Sequence, residues 1–341
     1  MQRQLLAAIP VQVFNTKGAS DMELPAALRQ AVDATLEGTP LAEIQRAAEL
    51  LSRRYRAETR DGRLHVADDL AAKAYLATRL PATFAAVRQA LGEVAMRREG
   101  FSPATLLDVG AGPGTALWAT RDKWQGIASA TMVEASPAMR EAGIRLAQAA
   151  TGIAVSWKAA KVEDGLSDLE KADLVTLCYV LDELAPAARD MLVDRLWTLA
   201  SDTLVIVEPG TPAGWQRIVA VRKRLIAAGA HVIAPCPHEA PCPIAAPDWC
   251  HFSRRVARSR LHRTAKGGEV PWEDEKFSYV AVSRHPVDER PARVLAPPRT
   301  ASGMVRLKLC LAQGTVEERL VTRREGPAFK TARKAGWGDA I

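Results

Sequence analysis

The hydrophobic positions change rhythm once along the chain, near residue 104. Before that point apolar residues recur every three or four positions, the period of a helix that buries one face. Segments 22–37, 41–59, 68–79 and 81–98 carry it, and Thr39-Pro40 supplies an N-cap and first-turn proline for the second. After that point short apolar runs alternate with amphipathic stretches. The runs are 104–109, 130–133, 153–157, 173–179 and 203–207, and the stretches between them include 137–150 and 187–199. Strands that are apolar on both faces and separated by helices make a parallel sheet covered on both sides. The predicted fold is therefore α/β: a doubly wound, mostly parallel, Rossmann-like sheet behind a helical N-terminal domain. Its ligand is expected at the carboxyl ends of the strands.

The rhythm breaks again at 230–275, where Pro235, Pro237, Pro241, Pro243 and Pro247 predict irregular backbone. Strand patterns resume at 277–283 and at 304–311, and the latter joins 316–322 through Gln313-Gly314 as a β-hairpin. The basic, glycine-containing tail from Arg323 is expected to order only on a partner. The division that follows is a helical domain (1–100), a Rossmann-like core (101–230), a Cys/Pro-rich basic insertion (231–275), and last strands, hairpin and tail (276–341).

Composition narrows the class. Hydrophobic residues are 48% and charged residues 25% of the chain, ordinary for a globular protein with a sizeable core. No apolar run approaches the roughly 20 residues that span a bilayer. The first ten residues do not form a secretory signal. A cytoplasmic monomer without membrane contact is the expectation. The net charge of +7 favours an anionic partner, nucleic acid foremost.

The chemistry starts at the end of the first predicted strand. Asp108, Gly110, Gly112 and Gly114 join that strand to a helix, and Glu134 ends the next strand. Glycines there let the backbone turn and approach a ligand, the helix N-terminus offers free N–H groups, and an acid at the second strand accepts ribose hydroxyls. A dinucleotide fingerprint wants glycine at 115, where Thr115 stands. The stretch resembles the first motif of class I S-adenosylmethionine-dependent methyltransferases. That resemblance implies that Asp108 orients the methionine end, Glu134 holds the ribose, and Glu163 or Asp164 approaches the adenine. Cys178 closes the fourth strand beside this site and is counted in its lining as a small hydrophobe. Asp182 and Glu183 follow it, as bases or as caps of the next helix; no catalytic residue is assigned.

Of the five cysteines, Cys236, Cys242 and Cys250 lie in the proline-rich stretch and Cys310 on a predicted strand. Clustered cysteines in a reducing compartment point to metal or catalysis. Four thiolates suit a tetrahedral zinc or a [4Fe–4S] cluster, and the spacing is wider than in usual zinc ribbons. His238 and His251 keep a mixed Cys/His zinc site open.

Taken together, several stretches resemble the Rsm-twenty-two type family of the mitochondrial small ribosomal subunit. They are Ala74 to Pro81, Gly112 to Ala119, Glu208 to Gly214, Ala234 to His238, Asp248 to Phe252, and Ala332 to Asp339. The resemblance runs from about residue 70 onward. It implies a class I methyltransferase fold, binding to the small subunit and its ribosomal RNA, and a [4Fe–4S] site at Cys236, Cys242, Cys250 and Cys310. It leaves open whether the protein methylates RNA or serves assembly without turnover. The apparent lack of an organellar leader suggests a bacterial relative. Arg254, Arg255, Arg258, Arg260, Arg263 and Lys266, with no acid among them, are the RNA-contacting candidates, and the tail adds Arg323, Arg324, Lys330, Arg333 and Lys334.

Overall fold

The structure, a computed structural model, describes residues 23–57, 64–162 and 166–341. Four helices come first: α1 (Ala26–Leu36), α2 (Leu41–Arg56), α3 (Asp69–Thr78) and α4 (Leu80–Arg97). Asp68 caps α3 by accepting the Ala71 N–H, and α4 carries its proline in the first turn. Their apolar faces are continuous with the sheet. Leu28, Ile44, Leu76, Phe84 and Leu91 share one buried cluster with Leu106, Leu117, Met132 and Phe277.

The central sheet follows as β1 (Thr105–Val109), α5 (Thr115–Lys123), β2 (Ser129–Val133), α6 (Pro137–Ala147) and β3 (Ala154–Lys158). It continues with β4 (Ala172–Cys178), α7 (Pro186–Leu199), β5 (Ala200–Pro209), α8 (Pro212–Ala227) and β6 (His231–Ala234). Last come β7 (Phe252–Ala257), α9 (Arg260–Lys266) and β8 (Trp272–Ser283). The strand order is β3-β2-β1-β4-β5-β8-β6, with β7 paired to β8. The first five strands run parallel, and β8 is antiparallel to β5, β6 and β7. This is an α/β, doubly wound fold with a mostly parallel central sheet. Its strand order reverses between β1 and β4, which opens a crevice at their carboxyl ends.

A second, antiparallel sheet holds β9 (Arg293–Val294), β10 (Arg299–Ala301), β11 (Met304–Cys310) and β12 (Val316–Thr322). The helix α10 (Pro327–Lys334) packs Phe329 and Ala332 on Val305, Leu307, Leu309 and Val321. Among the described residues no helix is long and apolar enough to cross a membrane.

Two expectations change. Irregular backbone holds only between β6 and β7, because β7, α9 and the start of β8 are regular. Phe252 and Val256 are buried on one face of β7 with the half-buried Arg254 between them, while Arg255 and Ala257 face outward, and the basic run hides that period. The tail does not wait for a partner: Phe329 and Ala332, three residues apart, are buried and dock α10 on the sheet.

Candidate cofactor cleft and cysteine site

A cleft of about 720 Å³ opens at the reversal point, between the carboxyl ends of the parallel strands and the helices α2 and α3. Gly110 and Gly112 form part of its wall, with φ of 66° and 54°, values that favour glycine. Gly114, at φ 83°, caps α5 instead of lining the cleft. Glu134 does line it, and its carboxylate is already engaged: Oε2 accepts the Gly112 N–H at 2.8 Å and Oε1 the Ser136 N–H at 2.7 Å. The expected ribose acceptor thus also pins the glycine loop. Burial raises its pKa despite these bonds.

Asp108 lies outside the cleft wall, buried, with Oδ1 accepting the Thr176 hydroxyl at 2.6 Å. Burial pushes its carboxyl up to about 7, against the pull of that bond. Cys178 lines the cleft, and burial holds its thiol far above the usual range. Glu163 and Asp164 lie outside the described residues. Asp182 and Glu183 both reach the cleft, in a 3-10 turn after β4. Behind them Glu208 is fully buried, accepting the Leu181 N–H at 3.1 Å and the Arg217 Nε–H at 2.7 Å.

Sequence reasoning missed the helical side of the cleft. Tyr55, His65, Tyr75 and Arg79 line it, together with Tyr179, whose φ of 61° is rare for a side chain of that bulk. The available signal was Tyr75 and Arg79, one helical turn apart in an otherwise alanine-rich stretch.

The second site brings all four candidate cysteines to one cavity. Cys236, Cys242, Cys250 and Cys310 line it with Trp215, Ile218 and Phe252. Cys236 follows β6, Cys250 precedes β7, and Cys310 ends β11 of the other sheet. Burial pushes the Cys310 thiol up to about 12 and raises Cys250 and Cys236 as well, with neighbouring thiols adding to each. His238 joins them, its Nε2 3.3 Å from Cys310 Sγ. His251 is turned to other work, stacked on Trp249 at 5.0 Å and edge-on to Trp337 at 4.8 Å. Among the described residues no three His, Cys, Asp or Glu side chains converge closely enough for a single metal ion.

Arg293 holds this region together from within. Fully buried, it donates from Nε to the Pro235 carbonyl at 2.9 Å, from Nη2 to Glu93 of α4 at 2.7 Å, and from Nη1 to the Gly338 carbonyl. One side chain therefore joins a helix, the cysteine loop and the C-terminal segment.

The candidate RNA-contacting residues are brought together on β7 and α9, but their charge is partly spent on β8. Arg255 pairs with Asp274 at 2.9 Å, and Arg258 and Lys266 pair with Glu273 at 3.0 and 2.8 Å. Arg254 is half-buried, and burial lowers its pKa. Arg260 and Arg263 have no carboxylate partner among the described residues. The acid-free run predicted an unneutralised patch; the carboxylates come from the neighbouring strand, out of sight of the local sequence.

Comparison with known proteins places these features. Residues 69–341 match a family model described as mitochondrial small ribosomal subunit Rsm22. The human mitochondrial ribosome assembly protein METTL17 is 30% identical over 286 residues, covering 78% of this chain and 61% of that protein. The Rsm22-cox11 tandem protein 2 of Schizosaccharomyces pombe is 23% identical over 318 residues, covering 78% of this chain and 42% of that protein. The chain thus spans less than two thirds of the length of these relatives. Among solved structures, the magnesium protoporphyrin IX methyltransferase of Synechocystis PCC 6803 aligns with a TM-score of 0.40 and 15% identity, over 69% of this chain and 91% of that one. The N-methyltransferase NodS of Bradyrhizobium japonicum WM9 aligns with a TM-score of 0.41 and 11% identity, over 70% and 97%.

Proposed function

The chain belongs to the Rsm22 family, and from that membership we propose that it binds S-adenosylmethionine, carries a [4Fe–4S] cluster and acts on small-subunit ribosomal RNA in ribosome assembly. The observation that carries the reading is the meeting of Cys236, Cys242, Cys250 and Cys310 at one cavity, although Cys310 comes from a different sheet. A zinc ion draws its thiolates to about 2.3 Å from one point. A cubane cluster spreads four thiolates over four irons, so the sulfurs stand farther apart around a cavity. The four cysteines at this cavity supply a donor set of that size. When bound, the cluster supplies iron–thiolate bonds that tie the loop before β7 to the end of β11.

The cofactor half of the reading rests on the cleft. Gly110, Gly112 and Glu134 form the wall where a nucleoside would sit, and Cys178 and Tyr179 line the same cleft. For RNA, Arg260 and Arg263 on α9 and the exposed Arg323, Arg324, Lys330, Arg333 and Lys334 supply cations that have no carboxylate partner among the described residues.

Anaerobic purification followed by iron, sulfide and zinc analysis tests the central claim. About four irons and four sulfides per chain are expected; stoichiometric zinc without sulfide would overturn it. Transfer of a labelled methyl group to naked or partly assembled small-subunit RNA then separates an enzyme from an assembly factor that retains the cofactor without turnover.

A further inference from the structure

On the helical wall of the cleft one cation stacks on a ring but, among the described residues, has no hydrogen-bond or ion-pair partner. Arg79 lines the cleft at the junction of α3 and α4, half-buried, its guanidinium carbon 5.3 Å from the centre of the Tyr55 ring. Among the described residues it makes no hydrogen bond or ion pair through that guanidinium. The carboxylate of Glu275 influences it from a distance but is engaged elsewhere, accepting the Tyr179 hydroxyl at 3.0 Å. Tyr75, one turn earlier on α3, also lines the cleft, its hydroxyl 3.3 Å from that of Thr83.

The other cations of the cleft are differently placed. Arg56 and Lys161 are exposed, and His65 stands 3.7 Å from Glu183. Three carboxylates, Glu134, Asp182 and Glu183, line the same space. The Glu275 charge offsets the burial of Arg79 and keeps it charged, yet among the described residues its N–H donors hold no carboxylate or carbonyl, so they remain available to an anionic ligand group. The ligand that matches is one with a single carboxylate for Arg79 and positive charge for the surrounding acids. An amino-acid sulfonium carries both.

We infer that Arg79, with the Tyr75 hydroxyl beside it, is the subsite for the α-carboxylate of S-adenosylmethionine, held as a charge-assisted pair from the N-terminal helices across the glycine loop. This deepens the cofactor reading above and rests on it. It also gives the N-terminal helices a function: they complete the cofactor site rather than merely covering the sheet.

The test is calorimetric titration of the full-length, cluster-loaded protein and of Arg79→Met and Arg79→Lys. Each is titrated with S-adenosylhomocysteine and with 5′-methylthioadenosine, which keeps the nucleoside and thioether but lacks the carboxylate. Arg79→Met is expected to weaken S-adenosylhomocysteine by about 10- to 100-fold, the range for one lost charge-assisted bond, and to leave methylthioadenosine unchanged. Arg79→Lys is expected to fall between. Unchanged S-adenosylhomocysteine affinity in Arg79→Met overturns the subsite and leaves the cofactor reading standing. Equal weakening of both ligands, or an altered melting temperature in both variants, overturns it in favour of a structural role. Weakened RNA binding with intact S-adenosylhomocysteine binding overturns it in favour of a nucleotide phosphate. Wild-type protein that binds neither small ligand overturns the cofactor reading itself, and the subsite with it.

Discussion

Gly110 tolerates no side chain. Its φ is 66°, and an added Cβ would stand 2.3 Å from Val180 Cγ2. Val180 is itself buried in the wall, so relief requires moving the turn after β4. Gly110→Ala is expected to cost about 1–3 kcal/mol of stability and to weaken cofactor binding with it; chemical denaturation with an unchanged midpoint would refute the clash. Asp108 makes a second prediction, through pH. Its folded pKa, near 7, lies above the ordinary carboxylate value because of burial. The folded chain therefore holds a proton that the unfolded chain releases. The stability from that proton is complete below the ordinary value near 4 and is lost as pH rises to about 7. Asp108→Asn keeps an acceptor for Thr176 and removes the charge. It is expected to flatten the stability profile between pH 4 and 7 and to raise the melting temperature at pH 8; an unchanged profile would count against it. At this scale the sequence was uneven. The glycines and Glu134 were legible because close backbone approach and an acid after β2 leave a local signature. Arg79 was not, because an arginine on a helix looks the same whether it faces solvent or a cleft.

At the scale of elements the five parallel strands and their helices were legible from apolar runs alone, since strands buried on both faces have few alternatives. The arm made of β7, α9 and β8 was not. The first half of β8, Trp272 to Lys276, projects past the end of β5 and pairs only with β7, so it carries charge where the second half is apolar. Its Glu273 meets Arg258, His262 and Lys266 at once, at 3.0, 3.3 and 2.8 Å. Burial would raise that carboxyl, but the bonds from His262 and Lys266 hold it well below the usual range. Stability from a lowered carboxylate is present above its unfolded value and lost as pH falls toward the folded one. Glu273→Gln should therefore cost about 1–3 kcal/mol at neutral pH and progressively less in acid. It also unpairs Arg258 and Lys266. If the arm faces RNA, the same variant binds RNA with a steeper salt dependence while melting earlier; titrations across a salt series decide it, and an unchanged slope removes α9 from the RNA surface.

At the scale of the molecule, the two sheets have separate cores and few direct ties. The small sheet buries Val294, Val305, Leu307, Leu309 and Val321 with α10, a cluster distinct from those of the main sheet. Apart from Trp337, which packs on the main core, what crosses between them is mostly polar or cysteine-bearing. Arg293 of β9 reaches Glu93 and Pro235, Lys308 of β11 meets Asp248, and Cys310 of β11 faces the cavity of Cys236, Cys242 and Cys250. Cysteines far apart in sequence thus stand at the seam of the molecule, which their spacing alone did not reveal. A cluster at that seam would act as a cross-link, and metal-binding energy at such a site is folding energy. Cys242→Ser, or cluster removal with a chelator and an oxidant, is then expected to loosen the small sheet before the main one. The loaded protein should melt in one transition and resist limited proteolysis after β8. The cluster-free protein should melt in two and be cut between residues 284 and 292, where the chain passes from one sheet to the other. Because α10 and the basic tail ride on the small sheet, RNA affinity should fall with the first transition. One transition and equal protease resistance in the cluster-free protein would mean that Arg293 and its partners hold the seam unaided, leaving the cysteines a role other than structural.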